Sequence, residues 1–426
     1  MIATLGVIVV VGLIVLGVPL WVGFVLGAAL VLLFDMGVPL ATLAQLSFAS
    51  VESYPLLAAP FFVLSGSFLV RSGGMEPLQQ LIGITIGSLR SGLPILIIVV
   101  GSVLGAISGS AAACLAILAV VVLPLFQASG YSRPYGAGLA LVSAELGLII
   151  PPSIFLILFG AANQVSIIDL FSGGLASGIL IALCMIPIAV ATARQSPEAR
   201  TRKRPDGVYL HHLLLRCLPI FGFPVLVLGG IYGGLFSPTE SASVAIFYAL
   251  FLGVAVYRRL GIALFSAALE ETARITGLIY MIVLGADLLA RMLGYMQMPA
   301  AIGSLVNAVD LGPTEFMLAV VAFLLFLGLF FSSLPMVVTI LPLFLPAAKQ
   351  LGIDPVFFGV IGVICASFGE MTPPFGPQLW IAEPLCRVPM GQILWKAMPF
   401  LGAWVVALVI LVLWPDFMLA SVEALR

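Results

Sequence analysis

Apolar residues run along this chain in blocks of roughly 20 that carry almost no charge, separated by short stretches rich in Gly, Pro and Ser. A helix rises ~1.5 Å per residue, so about 20 apolar residues cover the ~30 Å hydrocarbon core of a bilayer. Such blocks recur from end to end and predict an all-α polytopic membrane protein. The first, Met1 to Phe34, would form a helix of ~50 Å, too long for one upright crossing. Gly17-Val18-Pro19 divides it into two. Met1 to Thr4 carries no basic side chain and no cleavage-type segment follows, so this end is expected to be a retained anchor rather than a signal peptide.

Composition narrows the function classes. Hydrophobic residues make up 62% of the 426 and charged residues 8%, against about 45–50% and about 25% in soluble domains. No sizeable soluble domain fits, and no basic patch with interleaved aromatics suggests nucleic acid. The five cysteines (Cys114, Cys184, Cys217, Cys365 and Cys386) lack metal-ligand spacing, so free thiols are expected. His211 and His212 are adjacent in the charged linker, where a solvated loop is the expectation. No resident cofactor is expected.

The chain repeats itself. At a constant offset of 222, Ser110 falls on Ser332, Pro124 on Pro346, Gly130 on Gly352, Gly147 on Gly369, and Pro151-Pro152 on Pro373-Pro374. Earlier segments match at 220, as Arg71 with Arg291, and at 219, as Pro19 with Pro238. The one strongly charged linker lies between the halves and holds Arg200, Arg202, Lys203 and Arg204. The expected division is therefore residues 1–193, a basic linker 194–216, and residues 217–426.

Each half reads as three crossings, a short amphipathic stretch, an apolar hairpin, an interrupted crossing and a final crossing. The hairpins, Ser91 to Gln127 and Gly312 to Lys349, turn at Ser108-Gly109-Ser110 and Ser332-Ser333. Small polar tips suit re-entrant hairpins, because unwound backbone at membrane depth survives only inside protein or beside a watery cavity. Re-entrance leaves five crossings per half, which places the two repeats upside down relative to one another. With the amino terminus outside, fourteen Lys and Arg residues gather on the cytoplasmic side and only Arg291, Lys349 and Arg426 remain outside. That asymmetry obeys the positive-inside rule at either hairpin depth.

The interrupted crossings carry Glu145-Leu146-Gly147-Leu148-Ile149-Ile150-Pro151-Pro152-Ser153 and Gly369-Glu370-Met371-Thr372-Pro373-Pro374-Phe375-Gly376-Pro377. Adjacent prolines remove two amide donors and disfavour helix before them, leaving carbonyls one turn earlier free for a hard cation such as sodium. Broken helices in matching positions of inverted repeats are how many secondary transporters build a midplane site. A re-entrant-loop channel or uniporter uses similar parts. An intramembrane hydrolase lacks a base, since both histidines lie in the linker.

Three segments carry a family resemblance. Gly101-Ser102-Val103-Leu104-Gly105-Ala106-Ile107-Ser108-Gly109-Ser110-Ala111, Gly147-Leu148-Ile149-Ile150-Pro151-Pro152-Ser153, and Thr372-Pro373-Pro374-Phe375-Gly376 resemble the large membrane subunit of tripartite ATP-independent periplasmic (TRAP) transporters, as does Gly233 to Glu240. The resemblance covers essentially the whole chain. It implies an ion-transporter-superfamily-like elevator fold in the bacterial inner membrane and sodium-coupled import of an organic acid. It also implies two partners on separate chains, a small four-helix membrane subunit and a periplasmic substrate-binding protein.

The expected first sodium site joins Ser108, Gly109 and Ser110 to Gly147, Ile150 and Pro151. The second joins Ser332 and Ser333 to Gly369, Glu370 and Thr372. Substrate is expected between the tips, at Ser110, Ser153 and Phe375. Other conspicuous residues read as structural: Ser237-Pro238-Thr239-Glu240 as a capping box, and Asp287 with Arg291 as a neutralising pair one helical turn apart. Glu145 and Glu370 must face protein or water rather than lipid, and Glu145 stands where the resembling family more often has a small residue. Single cysteines placed at Ser196 and Val422 of a cysteine-free chain should label from opposite sides of the membrane. Labelling of both from one side sinks the inverted topology.

Overall fold

The computed structural model describes residues 2–85, 92–194, 207–374 and 376–425, and every regular element among them is helical. The first half contains α1 (Ile2–Val15), α2 (Leu20–Phe34), α3 (Leu40–Ala49), α4 (Ala58–Arg71), α5 (Met75–Thr85), α6 (Gly92–Ser108), α7 (Ala111–Ala128), α8 (Arg133–Glu145), α9 (Ile154–Asn163) and α10 (Ile167–Arg194). The second contains α11 (Gly207–Tyr232), α12 (Pro238–Phe251), α13 (Ile262–Tyr295), α14 (Met298–Ala308), α15 (Pro313–Gly328), α16 (Ser333–Pro335), α17 (Leu341–Gln350), α18 (Pro355–Glu370), α19 (Pro377–Cys386), α20 (Met390–Leu413) and α21 (Pro415–Ala424).

Local chemistry explains the starts. Ser237 accepts from the Glu240 amide at 3.3 Å while the Glu240 carboxylate accepts from the Ser237 amide at 2.8 Å, with Pro238 at the first helical position of α12. The carboxylate of Asp354 accepts from the Val356 and Phe357 amides at 2.7 and 3.2 Å and opens α18. Gly17, at φ +77, turns the chain between α1 and α2.

Among the described residues, seven helical segments are long and apolar enough to cross a bilayer. They do not coincide with ten expected crossings, for two reasons. The interrupted crossings consist of paired short pieces, α8 with α9 and α18 with α19. The first two helices hold only 14 and 15 residues, or ~21–23 Å. Conversely, the returning arm of the second hairpin, Ser333–Gln350, reaches 18 residues through a π-helical turn at Met336–Ile340. The short helices α3 and α21 were not legible as elements of their own.

Residues 195–206 of the expected linker, with Ser196, Arg200, Arg202, Lys203 and Arg204, lie outside the described residues, as do Arg90 and Arg426. His211 and His212 stand exposed on the first turns of α11, not in a loop, because helix α11 begins at Gly207. The five cysteines are free; four are buried and Cys184 is half-buried. Val422 is 4% exposed, so the exposed Glu423 is the better position for a labelling cysteine.

The helices pack in two groups. In one, α13 lies against α2 and α4, α4 against α12, and α1 against α2. Arg71 of α4 pairs with Glu271 of α13 at 2.7 Å, and Ser67 bonds to both. In the other, α8 lies among α6, α7 and α20, while α15 packs on α18 and α10 on α20. The groups meet where Leu158 of α9 and Val338 join Ile279, Ile282 and Val283 of α13 in one apolar cluster.

Within the second group, backbone touches backbone at two corresponding places. A Cβ added to Gly105 of α6 would stand 2.8 Å from the Gly147 nitrogen, and one on Gly147 would overlap Gly105. A Cβ on Gly328 of α15 would stand 2.9 Å from the Gly369 Cα, and one on Gly369 2.7 Å from the Gly328 Cα. Each hairpin's first arm is thus seated directly on the turn of a broken crossing. Gly147→Ala and Gly369→Ala should each lower stability by about 1–3 kcal/mol through overpacking against backbone. Gly277→Ala, with nothing within 4 Å of its added carbon, should not. Thermal unfolding of the purified variants in detergent checks the contrast.

Candidate ion and substrate site

The two hairpins and the two breaks converge on one cavity of about 260 Å³. Gly109 and Ser110 enter it from the first tip, Leu334 from the second, Leu148, Ile154 and Phe155 from the first break, and Glu370, Pro377 and Gln378 from the second. Val63 of α4 and Ile275, Leu278 and Ile279 of α13 close the side facing the other helix group.

At the first tip, α6 ends at Ser108, and Gly109 turns the chain at φ +61 with its amide donating to the Gly105 carbonyl at 2.8 Å. Only glycine takes that backbone region at no steric cost. Ser110 opens α7; its hydroxyl accepts from the Ala113 amide at 3.3 Å and its carbonyl from the Cys114 amide at 3.0 Å. The Ser108 side chain lies outside the described residues.

The first break is a 3₁₀ turn, Leu146–Leu148, followed by Ile149, Ile150 and a cis Pro151-Pro152 bond. Pro151 and Pro152 deny Gly147 and Leu148 the helical donors four residues on. The sequence argument left both carbonyls free; the structure differs at Leu148, whose carbonyl receives the Ser153 hydroxyl. Ser153 is fully buried and caps α9 by accepting from the Leu156 amide at 3.3 Å. Its hydroxyl therefore repairs the break and does not line the cavity.

The second break runs from Glu370 through Met371 and Thr372 to a cis Pro373-Pro374 bond. Here the Gly369 carbonyl accepts from the Thr372 amide at 3.2 Å, and the Thr372 hydroxyl donates to the Phe368 carbonyl at 2.7 Å. Each such oxygen keeps a second lone pair. Ser333, fully buried, donates to the Ala366 carbonyl at 2.9 Å, tying the second tip to α18. Ser332 precedes it, half-buried, as the N-cap of α16. Phe375 lies outside the described residues.

So Gly109, Ser110 and Glu370 share the cavity, whereas Gly147, Ile150, Pro151, Ser153, Ser333, Gly369 and Thr372 stand in the tips and breaks behind its wall. Sequence reasoning missed Gly105 and Gly328, the partners of Gly147 and Gly369; they lie 223 apart (328 − 105), one residue off the offset of 222 that relates Gly147 to Gly369. It missed Gln378 too, which is 2% exposed and whose amide nitrogen has no hydrogen-bond partner among the described residues. A larger cavity of about 880 Å³ is bordered by Tyr54, Gln164, Ser237 and the Asp287–Arg291 pair, closed at 2.8 Å as the spacing predicts.

This arrangement of hairpin tips against proline-broken helices is matched in known proteins. Residues 7–417 fit the family described as tripartite ATP-independent periplasmic transporter, DctM component. The chain belongs to this family. It is 33% identical over 399 residues to the C4-dicarboxylate TRAP transporter large permease protein DctM of Pseudomonas aeruginosa, covering 92% of each chain. The Vibrio cholerae protein of the same description is 31% identical, with 95% of this chain and 93% of the relative covered. Among solved structures, the YdaH transporter of Alcanivorax borkumensis superposes with a TM-score of 0.62 at 16% identity, covering 88% of each chain. That likeness speaks to fold alone. As a TRAP large permease subunit, this is a multi-pass inner-membrane transport protein and not an enzyme. Its family works in general with a substrate-binding protein and a smaller membrane subunit. Ser153→Ala should cost about 1–2 kcal/mol of stability by removing both the α9 cap and the donor to Leu148. The midpoint of thermal unfolding measures it.

Proposed function

We propose that this subunit couples sodium entry to uptake of a small organic acid, with substrate held between the two hairpin tips and moved by an elevator displacement. The observation that carries the reading is the meeting of both tips and both breaks on one cavity, walled on its remaining side by α4 and α13. The helix group bearing the hairpins is the part that moves; the α1–α4 and α11–α13 group is the part that stays. The two halves are read as inverted repeats of five crossings each, with the amino terminus periplasmic and residues 194–216 cytoplasmic.

Sodium favours several oxygen ligands, and each tip with its break offers hydroxyls and carbonyls without a full ionic cage. The first ion belongs among Ser108, Gly109, Ser110, Gly147, Ile150 and Pro151, the second among Ser332, Ser333, Gly369, Glu370 and Thr372. For substrate, relatives are named for C4-dicarboxylate, ectoine, 2,3-diketo-L-gulonate and sialic acid, which carry a carboxylate, and for isethionate, which carries a sulfonate, so an organic acid group is the shared feature. Gln378, with an unpaired amide nitrogen at the cavity wall, and Ser110 are the donors proposed to meet it. The larger cavity beside Arg291 serves as the vestibule through which substrate arrives from the binding protein.

Replacing Ser110 or Ser332 by Ala should raise the half-saturating sodium concentration at least several-fold, since a hydrogen-bond-strength contact to a charge is worth roughly 1.5–3 kcal/mol. Ser110→Ala also removes a cap, at about 1 kcal/mol of stability. Uptake titrated with sodium in proteoliposomes holding all three subunits reads the effect. Unchanged sodium dependence in both variants returns these serines to helix packing.

A further inference from the structure

Glu145 is the last residue of α8, fully buried, and among the described residues neither of its carboxyl oxygens has a hydrogen-bond partner. The groups that act on it electrostatically are Glu370 and the Cys114 thiol, and neither is a cation. Cys114 stands in the first turn of α7, 3.4 Å from the Gly101 carbonyl of α6. The Glu145 carboxyl therefore sits among both arms of the first hairpin and the break that begins at Leu146. The other glutamate of the breaks differs: Glu370 has the Ser333 backbone amide as a hydrogen-bond donor.

A buried carboxylate without partners is costly, and the cost is removed by an opposite charge together with well-placed dipoles. Here the negative end of the α8 dipole points the same way as the side chain's charge. Among the described residues, the groups found to act on this position include no cation. We infer that Glu145 is a charged ligand of the cation in the first site, bound between the α6–α7 hairpin and the segment Leu146 to Pro151. The inference rests on the sodium reading above. It makes the first site formally anionic without help from Glu370, whereas the second relies on Glu370.

The test measures radioactive sodium binding to the purified full chain, alongside sodium-induced infrared difference spectra. Glu145→Gln keeps the side chain's shape and removes its charge. It should raise the half-saturating sodium concentration of one of two binding events by about tenfold or more, the loss expected for a charge-assisted contact. In the wild type, sodium should perturb a carboxylate stretching band that is absent from the Glu145→Gln spectrum. If the wild type binds no sodium, the sodium reading falls and this inference with it. If it binds sodium, but with the same affinity in Glu145→Gln and with no perturbed carboxylate band lost from the variant's spectrum, only this inference is overturned. Should the variant not fold, Glu370→Gln decides: a sodium-perturbed carboxylate band that survives in its spectrum supports the assignment, and the loss of every such band rejects it.

Discussion

The site depends on two backbone contacts, Gly105 on Gly147 and Gly328 on Gly369. A hairpin entering a membrane protein must bring its tip to a fixed depth and angle, and side chains alone leave that open. Glycine against glycine lets two main chains approach more closely than any side chain allows, and small-residue seams of this kind replace the hydrophobic effect as the means of helix association in lipid. Because the seam lies one turn from each proline pair, the tip, the break and the cavity are positioned together.

A helix broken inside a membrane leaves carbonyls and amides that water cannot reach, and each must find a partner. This chain answers with short-range hydroxyl groups. Ser153 serves the Leu148 carbonyl and the amide end of α9, Thr372 serves Phe368, and Ser333 serves Ala366 across the tip. Such repairs hold the broken ends in place while leaving further lone pairs at the same oxygens. Among the described residues, the buried side-chain polar atoms without a hydrogen-bond partner include those of Glu145 and Gln378, which stand beside the breaks.

Much of this was legible in the sequence, and what was legible had a physical reason. Long uncharged blocks can only be membrane helices, so the class followed from length and hydropathy. The hairpins, the breaks and the Ser237 capping box followed from Pro, Gly and Ser at fixed spacing, since these residues act on the backbone locally. The Asp287–Arg291 pair followed from a four-residue spacing on one helix. What stayed hidden depended on distant packing. Gly105 and Gly328 are two among 44 glycines, nothing in their neighbourhood says which backbone they meet, and the repeat offset of 222 sets Gly105 on Leu327 rather than on Gly328. The sequence equally assigned Ser153 to the substrate, because a polar residue after a break looks available until its carbonyl partner is seen. Gln378 drew no notice because its importance lies in lacking a partner.

The central claim is that a cation-binding core drives the movement of an organic anion through this subunit. The most direct measurement is the direction of net flux in proteoliposomes containing all three subunits, with a sodium gradient imposed and then reversed at equal substrate on both sides. Substrate should accumulate on the side toward which sodium runs, change sides when the gradient is reversed, and stay level when potassium replaces sodium. Accumulation of equal size and direction without sodium would contradict the account.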